Sequence, residues 1–119
     1  MKKLIIVCDD DEAILEVIRV ILEEAGFTVM TFSNGVNLLE NVRKFQPALL
    51  ILDIWMPKVG GREAVKILRS NESTQNIPVV LISALNEGEV ISKELKVQGF
   101  LKKPFNINDL TEMAKGLTK

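Results

Sequence analysis

Three aspartates in a row, Asp9, Asp10 and Asp11, follow directly on the apolar run Leu4-Ile5-Ile6-Val7-Cys8. Asp53 closes a second run, Leu49-Leu50-Ile51-Leu52, while Ser83 follows a third and Lys102 and Lys103 end a short fifth. Brought to one place, these groups define a chemistry. Clustered carboxylates repel one another and stay ionised only if something positive joins them. A hard divalent cation such as Mg2+, held by one or two carboxylates, waters and an incoming phosphate, relieves that repulsion and neutralises charge during phosphoryl transfer. A carboxylate can itself be the nucleophile and become an aspartyl phosphate. An ammonium and a hydroxyl can hold the phosphoryl oxygens.

Taken singly, most of these residues have a plainer reading. Asp9 to Asp11 suit the capped, acidic start of a helix. Ser83 at a strand end suits a hydroxyl bonded to backbone, and Lys103 a solvated surface charge. Asp53 resists such a reading, because an ionisable group directly after four large apolar residues needs a partner. The combination carries the inference, and it requires elements that bring the five positions together.

Those elements follow from the pattern of the chain. Apolar runs rich in Ile, Val and Leu occupy 4–8, 48–52 and 78–82, with weaker ones at 28–32 and 99–102. Stretches with helical spacing lie between them. Residues 12–25 carry Ile14, Ile18, Ile21 and Leu22 on one face and stop at Gly26. Residues 35–45 carry Leu38, Leu39, Val42 and Phe45, with Ser33 and Asn34 as candidate caps. Residues 61–70 offer Ala64, Val65 and Leu68; the last helix offers Ile107, Leu110, Ala114 and Leu117 behind Asn106. A helix near 87–96 is the weakest, with only Val90, Ile91 and Leu95 and a glycine, Gly88, at its start.

Five strands alternating with helices predict a doubly wound parallel α/β sheet covered on both faces, and continuous rather than alternating apolar strands agree. In such sheets the crevice lies beyond the carboxyl ends of the strands, where the winding reverses. Asp9, Asp10, Asp53, Ser83 and Lys103 all fall at such ends.

Composition narrows the function. The 119 residues suit one domain, 1–119, and a hydrophobic fraction of 47% suffices for a core without disulfides. Fifteen Lys plus Arg against sixteen Asp plus Glu, a net charge of -1, argue against direct nucleic-acid binding. Cys8 is the only cysteine, and its place in an apolar run predicts an inert thiol. No stretch is long enough to span a membrane, so a cytoplasmic location is expected. The chain has no histidine, so any phosphohistidine must come from a partner.

With these residues in view, the chain resembles the receiver domains of two-component response regulators, of the chemotaxis-regulator-like single-domain kind. Leu52-Asp53-Ile54-Trp55-Met56-Pro57 followed by Gly60-Gly61 is similar to the family's phosphoacceptor loop. Leu81-Ile82-Ser83-Ala84 resembles its fourth strand, and Phe100-Leu101-Lys102-Lys103-Pro104-Phe105 its fifth. The resemblance implies a flavodoxin-like sheet in the order 2-1-3-4-5. It also implies roles. Asp53 would accept a phosphoryl group from a histidine kinase or histidine phosphotransfer protein. Asp10 and the Trp55 backbone carbonyl would ligate Mg2+ together with Asp53, and Asp9 mainly through water. Ser83 and Lys103 would hold phosphoryl oxygens, Phe100 would turn inward as Ser83 moves, and Lys103–Pro104 would be cis. The chain would promote its own phosphotransfer and dephosphorylation without being an enzyme on other substrates, and would signal to a downstream protein by contact.

Two departures from the family pattern stand out. The segment between Ser83 and Phe100 is shorter than usual, and Lys96-Val97-Gln98-Gly99 replaces the customary Gly-Ala turn, which puts the fourth helix and the output face in question. Trp55 is bulky for its position and suggests slow loss of phosphate.

Other functions compete. A hydrolase with an aspartyl-phosphate intermediate often has an acid two residues after its nucleophile, where Trp55 stands here. A flavin or nucleotide binder would be expected to show a glycine-rich phosphate loop. A degenerate receiver acting as a phosphorylation-independent docking module is the remaining alternative. Cognate kinase, downstream partner and homodimer formation are left open by the sequence.

Overall fold

The computed structural model describes residues 2–119. The chain alternates strictly: β1 (Leu4–Cys8), α1 (Glu12–Glu24), β2 (Thr28–Phe32), α2 (Leu38–Phe45), β3 (Leu49–Asp53), α3 (Gly61–Arg69), β4 (Val79–Ser83), α4 (Glu87–Leu95), β5 (Gly99–Lys102) and α5 (Ile107–Leu117). All four strand pairings are parallel, and the sheet order is β2-β1-β3-β4-β5. The sequence-based expectation of a doubly wound sheet in this order is met.

Alternating side chains of each central strand feed two cores. Ile6, Cys8, Leu50, Leu52 and Leu81 pack under α2, α3 and α4, whereas Ile5, Val7, Leu49, Ile51, Val80 and Ile82 pack under α1 and α5. Burial on both faces explains why β1, β3 and β4 read as unbroken apolar runs. Each fully buried Ile or Leu contributes about 1.5–3 kcal/mol relative to exposure. These strands are therefore a stiff platform for whatever stands at their ends.

Local chemistry sets the helix boundaries. Asp11 caps α1, its carboxylate accepting the N–H groups of Ala13 (2.9 Å) and Ile14 (3.3 Å). Asn106 caps α5 by accepting the Asp109 N–H at 2.7 Å, as expected.

Three details differ from the periodicity. The deeply buried residues of α1 are Leu15, Ile18 and Leu22, with Ile14 and Ile21 at the margin of the stripe. α2 starts at Leu38 instead of 35, because Asn34 accepts the Val36 N–H (3.0 Å) in a turn and Asn37 stands at the cap position. Phe45 and Ile107 are exposed, at 37% and 62%. Both lie in terminal turns, where the chain leaves or has not yet reached the sheet. The helix near 87–96 is present as α4, with Val90 outward and Gly88, Ile91 and Ser92 inward.

Candidate functional site

The winding direction reverses between β1 and β3, and register decides what meets there. Cys8 lies opposite Leu52, so Asp9 and Asp53, each one residue further, are neighbours at the carboxyl edge. On the other side Ile82 lies opposite Asp53, and the Lys103 N–H donates to the Ser83 carbonyl at 2.9 Å. Strand register alone therefore gathers Asp9, Asp53, Ser83 and Lys103.

The three consecutive aspartates divide their work. Asp11 is the helix cap, and the plain reading is correct for it. Asp9 is fully buried, with Oδ1 accepting the Asp11 N–H at 2.9 Å. Asp10 is exposed at the rim. One carboxylate oxygen from each of Asp9, Asp10 and Asp53 lies within 4.8 Å of the others, close enough for one metal ion to touch all three.

Lys103 closes the site from the β5 side. Its Nζ lies 2.7 Å from Asp9 Oδ2 and 3.7 Å from Asp53 Oδ2. The shorter contact is ionic in character: Asp9 Oδ2 is buried and receives no well-aligned hydrogen bond. Lys102 points the other way and meets Asn86 Oδ1, so only the second lysine of the pair joins the cluster. The Lys103–Pro104 peptide bond is cis.

Asp53 is 5% exposed and accepts one N–H, from Trp55, at 3.4 Å. Burial, and next the charge on Asp9, push its carboxyl up to about 6, against the pull of Lys103 and the Trp55 N–H. The site thus holds more negative charge than its own lysine offsets, which is the electrostatic signature of a cation site. Cys8, beneath it, is pushed up to about 12 by burial and by Asp9, in keeping with an inert thiol.

Ser83 is fully buried at the end of β4, and its Oγ accepts the Leu85 N–H at 3.0 Å. Its hydroxyl proton is given to no hydrogen bond among the described residues. Trp55 is 52% exposed, on the loop that leaves Asp53. Gly61 lets α3 begin against that loop: a Cβ there would lie 2.7 Å from the Asp53 carbonyl oxygen. Phe100 is half-buried, its ring resting on Gly88 of α4. Gly88 escaped the sequence reading, where it figured only as a weakness of the helix.

The family model for the response regulator receiver domain matches residues 5–115. The chain belongs to the response-regulator receiver domains. The receiver is 31% identical, over 100% of its length and 50% of the relative's, to the alkaline phosphatase synthesis transcriptional regulatory protein PhoP of Bacillus subtilis. It is 26% identical to the polar-differentiation response regulator DivK of Brucella anthropi, covering 97% of this chain and 95% of that protein. Among solved structures, the chemotaxis response regulator CheY4 of Vibrio cholerae superposes with a TM-score of 0.89 at 25% identity, covering 98% of this receiver and 99% of that chain. The receiver spans about half the length of the first curated relatives it matches. Receivers of this family pair with histidine kinases in two-component systems and bind Mg2+ at an acidic pocket.

Proposed function

We propose that this receiver is a phosphorylation-driven switch whose phosphoacceptor is Asp53. The observation that carries the reading is the charge imbalance at the sheet edge: three carboxylates within one ion's reach, and a buried aspartate whose carboxyl is pushed up to about 6. Such an aspartate is costly to keep in a fold, and a nucleophilic role beside a cation accounts for it.

Asp10, Asp53 and the Trp55 carbonyl would hold the Mg2+, with Asp9 behind them. The ion supplies charge neutralisation for the incoming phosphoryl group. An Asp53 carboxylate oxygen attacks phosphorus in line; the new O–P bond forms as the N–P bond of a donor phosphohistidine breaks, and the imidazole leaves with the electron pair. Lys103, already beside both acids, shifts its ammonium to a phosphoryl oxygen. Ser83 donates its uncommitted hydroxyl proton to another. Phe100 then follows Ser83, shifting a pre-existing equilibrium read by a downstream protein.

The donor is a histidine kinase or histidine phosphotransfer protein, since this sequence has no histidine of its own. Output is by protein contact, in keeping with a net charge of -1. The phosphoryl group is turned over on the receiver itself, not on a separate substrate. The chemical class of the adduct gives the test. Hydroxylamine treatment after incubation with phosphoramidate and Mg2+ converts an acyl phosphate to a hydroxamate at Asp53. A hydroxylamine-resistant phosphate, or none, would exclude an aspartyl phosphate.

A further inference from the structure

Gly88 stands in the first turn of α4 with an ordinary right-handed backbone; it is not among the residues of positive φ. Its conformation does not call for glycine, and glycine weakens a helix that has few apolar anchors. What it provides is space. A Cβ at this position would lie 2.6 Å from Cε1 and 2.8 Å from Cζ of Phe100, and 3.0 Å from Cβ of Ser83. Unbonded carbons settle at about 3.5–4.0 Å, so the ring and the serine crowd one point from two sides. One turn on, buried Ser92 donates its hydroxyl to the Gly88 carbonyl at 2.8 Å, so two small residues stand one turn apart on the inner face of α4, beside buried Ile91. The helix backbone itself is the wall against which Phe100 lies.

We propose that Gly88 is a positioning residue for the switch: by carrying no side chain it gives the Phe100 ring a seat beside Ser83, and so couples the ring to what Asp53 carries. A methyl group at 88 would occupy that seat. Phe100 would then stand away from Ser83 whether or not the acceptor were loaded, and the coupling would be lost while the acidic site stayed whole. The inference rests on the reading of Asp53 as phosphoacceptor and Ser83 as the residue that touches the phosphoryl group.

The test uses 13C-phenylalanine-labelled protein, the Phe100 signals assigned with Phe100→Leu, and beryllofluoride with Mg2+ as the phosphoryl mimic. Trp55, the sole tryptophan, reports binding through its emission. In the parent, both Trp55 emission and the Phe100 ring signals change on addition. In Gly88→Ala, Trp55 responds at a similar beryllofluoride concentration while the Phe100 signals stay where they were. A Phe100 response in Gly88→Ala equal to the parent's overturns the proposal. No response of either probe in the parent overturns the phosphoacceptor reading, and this inference falls with it.

A second measurement serves if the variant folds poorly. Gly88→Ala lowers the melting temperature in the parent and lowers it clearly less in a Phe100→Ala background, because the ring no longer competes for the space and only the Ser83 contact remains. An equal loss in both backgrounds overturns the claim that Phe100 is what needs the room.

Discussion

The Lys103 ammonium lies 2.7 Å from Asp9 Oδ2, an oxygen with no contact to solvent and no well-aligned hydrogen bond. The lysine is thus the resident counter-charge of a site that has too many acids for it. It reaches Asp53 less closely, at 3.7 Å. Removing it should leave two buried carboxylates without a cation. Lys103→Ala is expected to lose about 2–4 kcal/mol of stability near neutral pH without Mg2+. Urea denaturation checks this, and added Mg2+ should return part of the loss.

The opposite sign is expected at Asp53. Near neutral pH without Mg2+, Asp53→Asn removes a buried charge held against burial and against Asp9. Stability should rise by about 1–2 kcal/mol. Thermal melting in a chelator gives the comparison, and Mg2+ should stabilise the parent far more than the variant.

The sign also fixes a pH dependence. The Asp53 carboxyl is raised from the ordinary aspartate value of 3.8 to about 6, so the folded state holds a proton that the unfolded state has already released. Its contribution to stability is full below the unfolded value and is lost as pH climbs through about 6. Protons and Mg2+ compete for the same carboxylate. Mg2+ affinity, followed by Trp55 emission, should therefore weaken as pH falls below about 6. An affinity flat from pH 5 to 8 would remove Asp53 from the metal site.

Cys8 offers an internal control on the fold. Its thiol is buried and pushed up to about 12, so a thiol reagent should label it only as fast as the protein unfolds. Rapid labelling of native protein would contradict the burial of β1.

The positions of the acidic cluster were legible in the sequence because buried parallel strands read as continuous apolar runs, and their ends locate the crevice. Asp9 and Asp53 could be paired from that logic alone. The division of labour among Asp9, Asp10 and Asp11 could not, since all three are aspartates and any of them suits a helix start; only the bonds from Ala13 and Ile14 to Asp11 show which one caps. Phe45 and Ile107 fit the helical period yet face solvent, because period says nothing about where a helix outruns its sheet. Lys102 and Lys103 are alike as residues and differ only in which way β5 points them. Gly88 was opaque for a further reason: its meaning lies in the space shared by Ser83 and Phe100, which is a tertiary fact.

Trp55 lies two residues after Asp53, half exposed, with its backbone N–H donated to the Asp53 carboxylate. Its bulk should slow the approach of water to an aspartyl phosphate. Trp55→Ala is expected to lose phosphate faster than the parent, followed by the decay of the phosphorylated species after donor removal. Equal rates would rule out that role.

The most direct test of Asp53 as phosphoacceptor is intact-protein mass after incubation with acetyl phosphate and Mg2+, with Asp53→Asn and a chelator-treated sample alongside. The expected result is one added phosphoryl group in the parent and none in either control. An adduct that persists in Asp53→Asn, or forms equally without Mg2+, would contradict the assignment of the site.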